Sequence, residues 1–183
     1  MTAVLVVEDG TIVANANTLV SIAELNAYAN NIGVTVTGTD VGSYLVRANN
    51  ILFSYNNVLA GNLITIDQGC PYPRNNLNIK GFAVANNVIP NQAKIAQMEA
   101  ALSVMKGIDP LAAQTPALSS LSVDVISLNF DTASSTSNHV SLPAFDAALR
   151  PLLNANSGNL IRFNVSGSDN VFCTPFWRRP WLV

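Results

Sequence analysis

Ser21-Ile22-Ala23-Glu24-Leu25-Asn26-Ala27-Tyr28-Ala29-Asn30-Asn31-Ile32-Gly33 reads as one amphipathic helix with both ends marked. Ser21 is a good N-cap residue, and Glu24 three positions later completes a capping box. Ile22, Leu25, Ala29 and Ile32 fall at i, i+3, i+7 and i+10, which gathers them on one helical face. Gly33 is placed to stop the helix.

Working outward, the same period returns three times. Val41, Tyr44, Leu45, Ala48, Leu52, Tyr55 and Leu59 predict a second helix from Asp40 to Leu59, closed by Gly61. A third begins near Pro90, a residue suited to a first turn. Ile95, Met98, Leu102 and Met105 line one of its faces, and Ala96, Ala100 and Ala101 permit close approach of a neighbouring helix. Gly107 ends it and Pro110 prevents continuation. A fourth, shorter helix has Ser141 as its cap, Pro143 in its first turn, and Phe145, Ala148, Leu149, Leu152 and Leu153 as its apolar face.

The segments between the helices are less regular. Val4 to Val7, a turn at Glu8-Asp9-Gly10 and the pair Ile12-Val13 suit a small hairpin or an extended arm. Val34 to Thr39 reads as a loop. Asp67 to Gly81 is rich in Gly, Pro and Asn, which argues against any regular element there. Leu121, Val123 and Val125 alternate with polar residues as on a half-buried strand. The phase shifts at Val125-Ile126 and continues through Leu128 and Phe130, as at a bulge or a break in pairing. Asp131 to Asn138 is a polar loop. A last β-like run, Ile161 to Val165, leads into the tail Val171 to Val183. The expected architecture is mainly α: a small bundle of about four helices with β-hairpin or extended arms. Residues 1–165 form the domain and residues 166–183 an extended C-terminal tail.

Composition narrows the function classes. Hydrophobic residues make up 49% of the 183, enough for a real core, but charged residues only 11%, well below the ~25% of an average soluble chain. Asn, Ser and Thr supply the remaining polarity, in runs such as Asn49-Asn50 and Asn86-Asn87. A surface so poor in charge repels its own copies weakly, which favours self-association. The formal net charge is -2, whereas proteins that grip nucleic acid through its backbone usually carry a basic face. The N-terminus has no basic n-region or long apolar stretch, so no signal peptide is expected. No apolar run approaches the ~18 residues of a membrane-spanning helix, and no membrane partner is expected. Synthesis in a cytoplasm follows.

A search for reactive groups finds little. His139 is the one histidine, in the polar loop before the fourth helix, and reads as a solvated residue. Cys70 and Cys173 have no nucleophile motif around them. They are read as reduced thiols, with a single disulfide left open. There is no Cys-x-x-Cys, no paired His, no carboxylate cluster and no phosphate-cradling glycine loop. No catalytic residue, cofactor or metal is therefore expected, and the chain does not read as an enzyme.

Two features stand above this background as candidate partner-binding sites. The first is Gln68-Gly69-Cys70-Pro71-Tyr72-Pro73-Arg74, in which Tyr72 and Arg74 are an aromatic and a cation on a rigid frame. They either touch a neighbouring subunit or pack onto their own helices. The second is the tail, where Phe176, Trp177 and Trp181 enclose Arg178 and Arg179. Trp and Arg anchor interfaces more often than other residues. Three roles are open for the tail: packing on its own domain, inserting into a partner subunit, or stacking on single-stranded bases while Arg meets phosphate.

Several of these stretches, in order, resemble a family of tailed-phage proteins. The resemblance rests on Val7-Glu8-Asp9-Gly10, Ala14-Asn15-Ala16-Asn17-Thr18, the helix from Ser21 to Tyr28, and Arg47 to Tyr55. It continues with Gln68 and Pro73-Arg74, Val88-Ile89-Pro90 followed by Lys94, Ala96, Gln97 and Glu99, and Leu142-Pro143-Ala144-Phe145 to Leu153. It covers about the first four-fifths of the chain; Tyr72 stands where the family has tryptophan, and the tail has no counterpart. Members carry a DnaT-like single-stranded-DNA-binding label. Their gene neighbourhood and their likeness to head–tail connector subunits imply another role. That role is an adaptor or head-completion subunit in the phage neck, a structural protein of the virion. The resemblance then implies a homo-oligomeric ring, expected as a dodecamer, that joins the portal protein to downstream tail or neck proteins. DNA would pass through its channel during packaging and ejection without sequence-specific binding. The alternative is a single-stranded DNA-binding module.

Overall fold

The computed structural model describes residues 3–38, 40–112, 120–123, 126–129 and 142–154. Helix α1 spans Ile22–Asn31 with the capping box in place. The Ser21 hydroxyl accepts from the Glu24 N–H at 3.2 Å, and the Glu24 carboxylate accepts from the Ser21 N–H at 2.7 Å. α1 buries Leu25 and Ala29, while Ile22 and Ile32 at its two ends stay exposed. The helix lies on the surface, and only the middle of its apolar stripe reaches the core.

Helix α2 spans Val41–Ser54, five residues short of the expected end. The Ser54 hydroxyl donates to the Ile51 carbonyl at 2.6 Å, and Asn56 and Asn57 follow, residue types that compete with the helical backbone for its own hydrogen bonds. The chain then leaves the helix to pair with a distant segment. The Ala60 N–H donates to the Leu152 carbonyl, the Asn154 N–H donates to the Val58 carbonyl, and Leu59 bridges Leu153 in antiparallel sense. Those pairings outweigh the helical period that runs on to Leu59.

Helix α3, Asn91–Met105, packs against both α2 and α4. It buries Ala93, Ala96, Gln97, Met98, Ala100, Ala101 and Leu102, and Ile95 and Met105 are only half-buried. A helix covered on two sides has no single apolar stripe, and its small residues are what let two neighbours approach. Helix α4, Pro143–Leu149, runs into a 3-10 turn at Arg150–Leu152. Its N-cap is Leu142, with no side-chain cap bond, and Ser141 lies outside the described residues. Phe145, Leu149 and Leu152 are buried, and the Phe145 ring meets Tyr55 at a centroid distance of 5.3 Å.

The β content exceeds the expectation, and the fold is mixed α/β rather than mainly α. Three antiparallel two-stranded pairs are present. β1 (Asn62–Leu63) pairs with β2 (Arg74–Asn75), and β3 (Asn78–Ile79) pairs with β4 (Phe82–Ala83). The stretch from Asp67 to Gly81 therefore does hold strands. Its turn residues shorten them to two residues each without forbidding them, because positive φ at Asn76, Lys80 and Gly81 supplies the reversals. At the phase shift Val125 lies outside the described residues, and Ile126 begins a new strand. β5 (Ser120–Val123) and β6 (Ile126–Asn129) form one hairpin with Val123 opposite Ile126.

No N-terminal hairpin forms among the described residues. The arm instead lies parallel to the segment ahead of α1, through a Val7–Thr18 bridge and a Glu8 N–H to Thr18 carbonyl bond of 2.8 Å. Buried Glu8 holds the following loop from inside: its carboxylate accepts from the backbone N–H groups of Gly10, Ile12 and Val13 at 2.9, 2.9 and 3.0 Å. Gly10, at φ 104, sits against the Asn87 carbonyl, where any Cβ would collide. The Val7-Glu8-Asp9-Gly10 motif is therefore a structural clamp.

Candidate functional site

The loop singled out by sequence is built around buried polar side chains. Gln68 Nε2 donates to the carbonyls of Cys70 and Pro73 at 2.8 and 3.0 Å, and its Oε1 accepts from the Ile64 N–H at 3.2 Å. Asn49 on α2 holds the Gly69 carbonyl at 3.0 Å. The Tyr72–Pro73 peptide bond is cis. Tyr72 is fully buried and Arg74 is 3% exposed. Of the two readings of this loop, the structure has the one in which it packs on its own chain, with neither side chain at the surface.

Arg74 is held without a carboxylate. Its Nη1 donates to Asn56 Oδ1 at 2.7 Å and to the Pro71 carbonyl at 3.3 Å. Its Nη2 donates to the Gly61 carbonyl at 2.9 Å and to the Asn56 carbonyl at 3.4 Å. The guanidinium carbon lies 5.9 Å from the Tyr72 ring centroid. Burial lowers the Arg74 pKa and raises that of Tyr72, because each charged form is costly away from water. Arg74 Nε, Tyr72 Oη and Asn49 Oδ1 are buried and have no hydrogen-bond partner among the described residues. Burial also pushes the Cys70 thiol up to about 12, with the Glu8 charge adding to the effect.

One carbonyl links this buried cation to the surface. Gly61, whose oxygen Arg74 holds, lines an open groove of about 650 Å³ together with Ala60, Asn62, Asn76, Asn78, Lys80, Gly81, Pro151, Leu153 and Asn154. Four of the lining side chains are Asn amides and one is an exposed lysine; none is a carboxylate. Gly61 has φ 74, and a Cβ there would come within 2.6 Å of the Asn75 carbonyl, so the close approach of the chain to β2 beside the groove requires glycine. Lys80 and Gly81 form the two-residue turn between β3 and β4, at φ 52 and 90. Asn-Gly is the usual occupant of such a turn, and here the first position carries a cation instead.

Two other described cations are in ion pairs. Arg47 pairs with Asp109 at 2.8 Å and Lys94 with Glu24 at 2.9 Å. Of the nine Lys and Arg, Arg162, Arg178 and Arg179 lie outside the described residues, as do Phe176, Trp177, Trp181, His139 and Cys173. No three His, Cys, Asp or Glu side chains gather into a metal-binding group among the described residues, and no described helix is long and apolar enough to cross a membrane. What the groove offers chemically is amide hydrogen bonding in both senses plus one positive charge, which suits binding. Sequence reasoning passed over it because Asn62, Asn76, Asn78 and Asn154 come together only through the β1–β2 and Leu59–Leu153 pairings. The Lys80-Gly81 turn was the one local signal.

No curated protein and no solved structure matches the chain. A family model does, across residues 3–166 of the 183. That span takes in the Glu8 clamp, the Gln68 to Arg74 loop and the whole groove, and the chain belongs to the family described as "Putative DnaT-like ssDNA binding protein".

Proposed function

We propose that the chain is a non-enzymatic DNA-contacting module whose ligand is single-stranded DNA, held in the amide-lined groove. The observation that carries this reading is the groove's charge. In a chain with 11 acidic and 9 basic residues, the groove lining has Lys80 and no acid, and its Gly61 carbonyl is held by Arg74, which bonds no carboxylate. A phosphate there meets one cation and no opposing acid, and Asn amides match the donor and acceptor edges of unpaired bases. The family's description supports the same ligand. With so few cations the contact is weak and covers few phosphates. Equilibrium binding of a fluorescent oligothymidylate, against the same strand annealed into a duplex, tests this. The single strand should bind more tightly; equal or stronger duplex binding overturns the reading.

A second reading is the phage neck adaptor, a ring subunit between the portal and the tail through which DNA passes. The low charge content supports it, as do large apolar side chains left in the open, with Ile66 92% and Val4 80% exposed. So does the resemblance carried by the ordered motifs. The comparisons speak for DNA contact and do not bear on the ring or the portal. Quantitative mass spectrometry of washed virus particles from cells carrying the gene decides this second reading. A ratio to the portal protein near one supports it, and absence from the particles removes it.

A further inference from the structure

We infer that Phe82 is the base-stacking residue of this groove and that Lys80, two positions earlier, holds the adjoining phosphate. The inference rests on the single-stranded DNA reading and adds to it the residues that make the groove selective for unpaired bases.

Phe82 is 76% exposed, the most exposed aromatic among the described residues. It opens β4, directly after Gly81, which lines the groove. Its cross-strand partner, Ile79, is partly buried against the core, while Phe82 itself stays in solvent. A ring this exposed buries little of its apolar surface on its own chain. The neighbouring turn is unusual in its backbone. Lys80 occupies a left-handed position, φ 52, where Asn is the residue of choice and a long side chain is strained. An aromatic and a cation are thus placed two positions apart on a short hairpin: Lys80 lines a groove whose remaining polar side chains are amides, and Phe82 follows the lining residue Gly81 in the chain.

Single-stranded nucleic acid is bound by this combination: a ring face for the base, a cation for the phosphate and amides for the base edge. A paired base in a duplex offers no free face to Phe82. The groove lining itself contains no aromatic; Phe82 is the exposed aromatic that adjoins it in the chain. A peptide strand would gain nothing specific from Lys80 in the absence of a matching acid, and its binding is an alternative outcome of the test.

The test uses the full chain and a fluorescent oligothymidylate, followed by anisotropy across a salt series. Phe82 and Lys80 are exposed, so Phe82→Leu, Phe82→Tyr and Lys80→Gln leave the core untouched, and circular dichroism checks that each variant folds. Phe82→Leu is expected to bind about 5- to 100-fold more weakly, the range seen when a stacking aromatic is removed. Phe82→Tyr should restore binding. Lys80→Gln should flatten the dependence of log affinity on log salt by about 0.7, the contribution of one phosphate contact on a single strand. If the unaltered chain binds the oligonucleotide and Phe82→Leu and Lys80→Gln bind it equally well, this assignment is overturned while the DNA reading stands. If the unaltered chain does not bind at all, both fall.

Discussion

Gln97, in the middle of α3, donates through Nε2 to the Thr18 hydroxyl at 3.0 Å, across 79 residues of sequence. The same amide donates to the Leu45 carbonyl on α2 at 3.0 Å, and its oxygen accepts from the Leu19 N–H at 2.8 Å. One fully buried side chain thus fastens the segment before α1 to the two helices at the centre of the fold. Replacing it by Leu keeps the volume but leaves the Leu19 N–H without its partner in the core. A buried donor left unpaired costs about 1–3 kcal/mol. With the Thr18 hydroxyl also released, Gln97→Leu should lower unfolding stability by about 2–4 kcal/mol. Urea denaturation followed by circular dichroism measures it; a loss under about 0.5 kcal/mol would mean that the network is incidental.

The loop from Gln68 to Arg74 makes an asymmetric prediction. The Tyr72 hydroxyl is buried with no partner among the described residues. Removing an unpaired polar group from the interior is neutral or favourable, so Tyr72→Phe should change stability by no more than about 1 kcal/mol, and toward greater stability. Arg74 holds Asn56, Gly61 and Pro71 together. Arg74→Met strips several carbonyl oxygens of their donor and should cost about 3 kcal/mol or more. The midpoints of thermal unfolding should therefore move in opposite directions.

The α1 capping box has a pH signature. Burial raises the Glu24 pKa, but the Ser21 N–H, Lys94 and the Ser21 hydroxyl together outweigh it and leave the pKa below its ordinary 4.5. A carboxyl depressed in the folded state adds stability that is complete above the unfolded value and disappears as pH falls through the folded one. The stability gap between the unaltered chain and Glu24→Gln should hold constant from neutral pH down to about 5 and close below 4.5. A gap that widens on acidification would show that the carboxylate is not held as described.

Cys70 is fully buried and its thiol pKa is pushed up to about 12. Since the thiolate is the reactive species, folded protein should be inert to thiol reagents at mildly alkaline pH. In a Cys173→Ser background, labelling of Cys70 should proceed only as fast as the chain unfolds. Rapid stoichiometric labelling of the native protein would contradict the burial.

What was legible in the sequence tracks how local the cause is. The capping box of α1 was readable from Ser21 and Glu24 because both partners lie within one turn. The start of α3 at Pro90 and its stop before Gly107 were equally local. The end of α2 was not, because the segment around Leu59 is drawn off by Leu153, more than half the domain away in sequence. Gln97 lies off the Ile95, Met98, Leu102 and Met105 face that the sequence marks; the packing of α3 between two neighbours makes it central. The Pro- and Asn-rich stretch hid its strands because each is two residues long, too short for any period to show. The Tyr72 and Arg74 pair stands out in the sequence, but whether a rigid aromatic and cation face outward or inward is decided by what they pack against. The groove was invisible for the same reason: its four amides lie in three separate parts of the chain.

The central claim, weak and selective contact with unpaired DNA, is tested most directly by one salt titration. Affinity of the full chain for a short oligothymidylate would be measured by anisotropy from about 50 to about 200 mM salt. The account predicts measurable binding that weakens with salt along a shallow slope, one to three phosphate contacts at about 0.7 each, with the duplex form bound less well. No binding at the lowest salt, or a duplex preference, would contradict it and leave the neck-adaptor reading as the one to pursue.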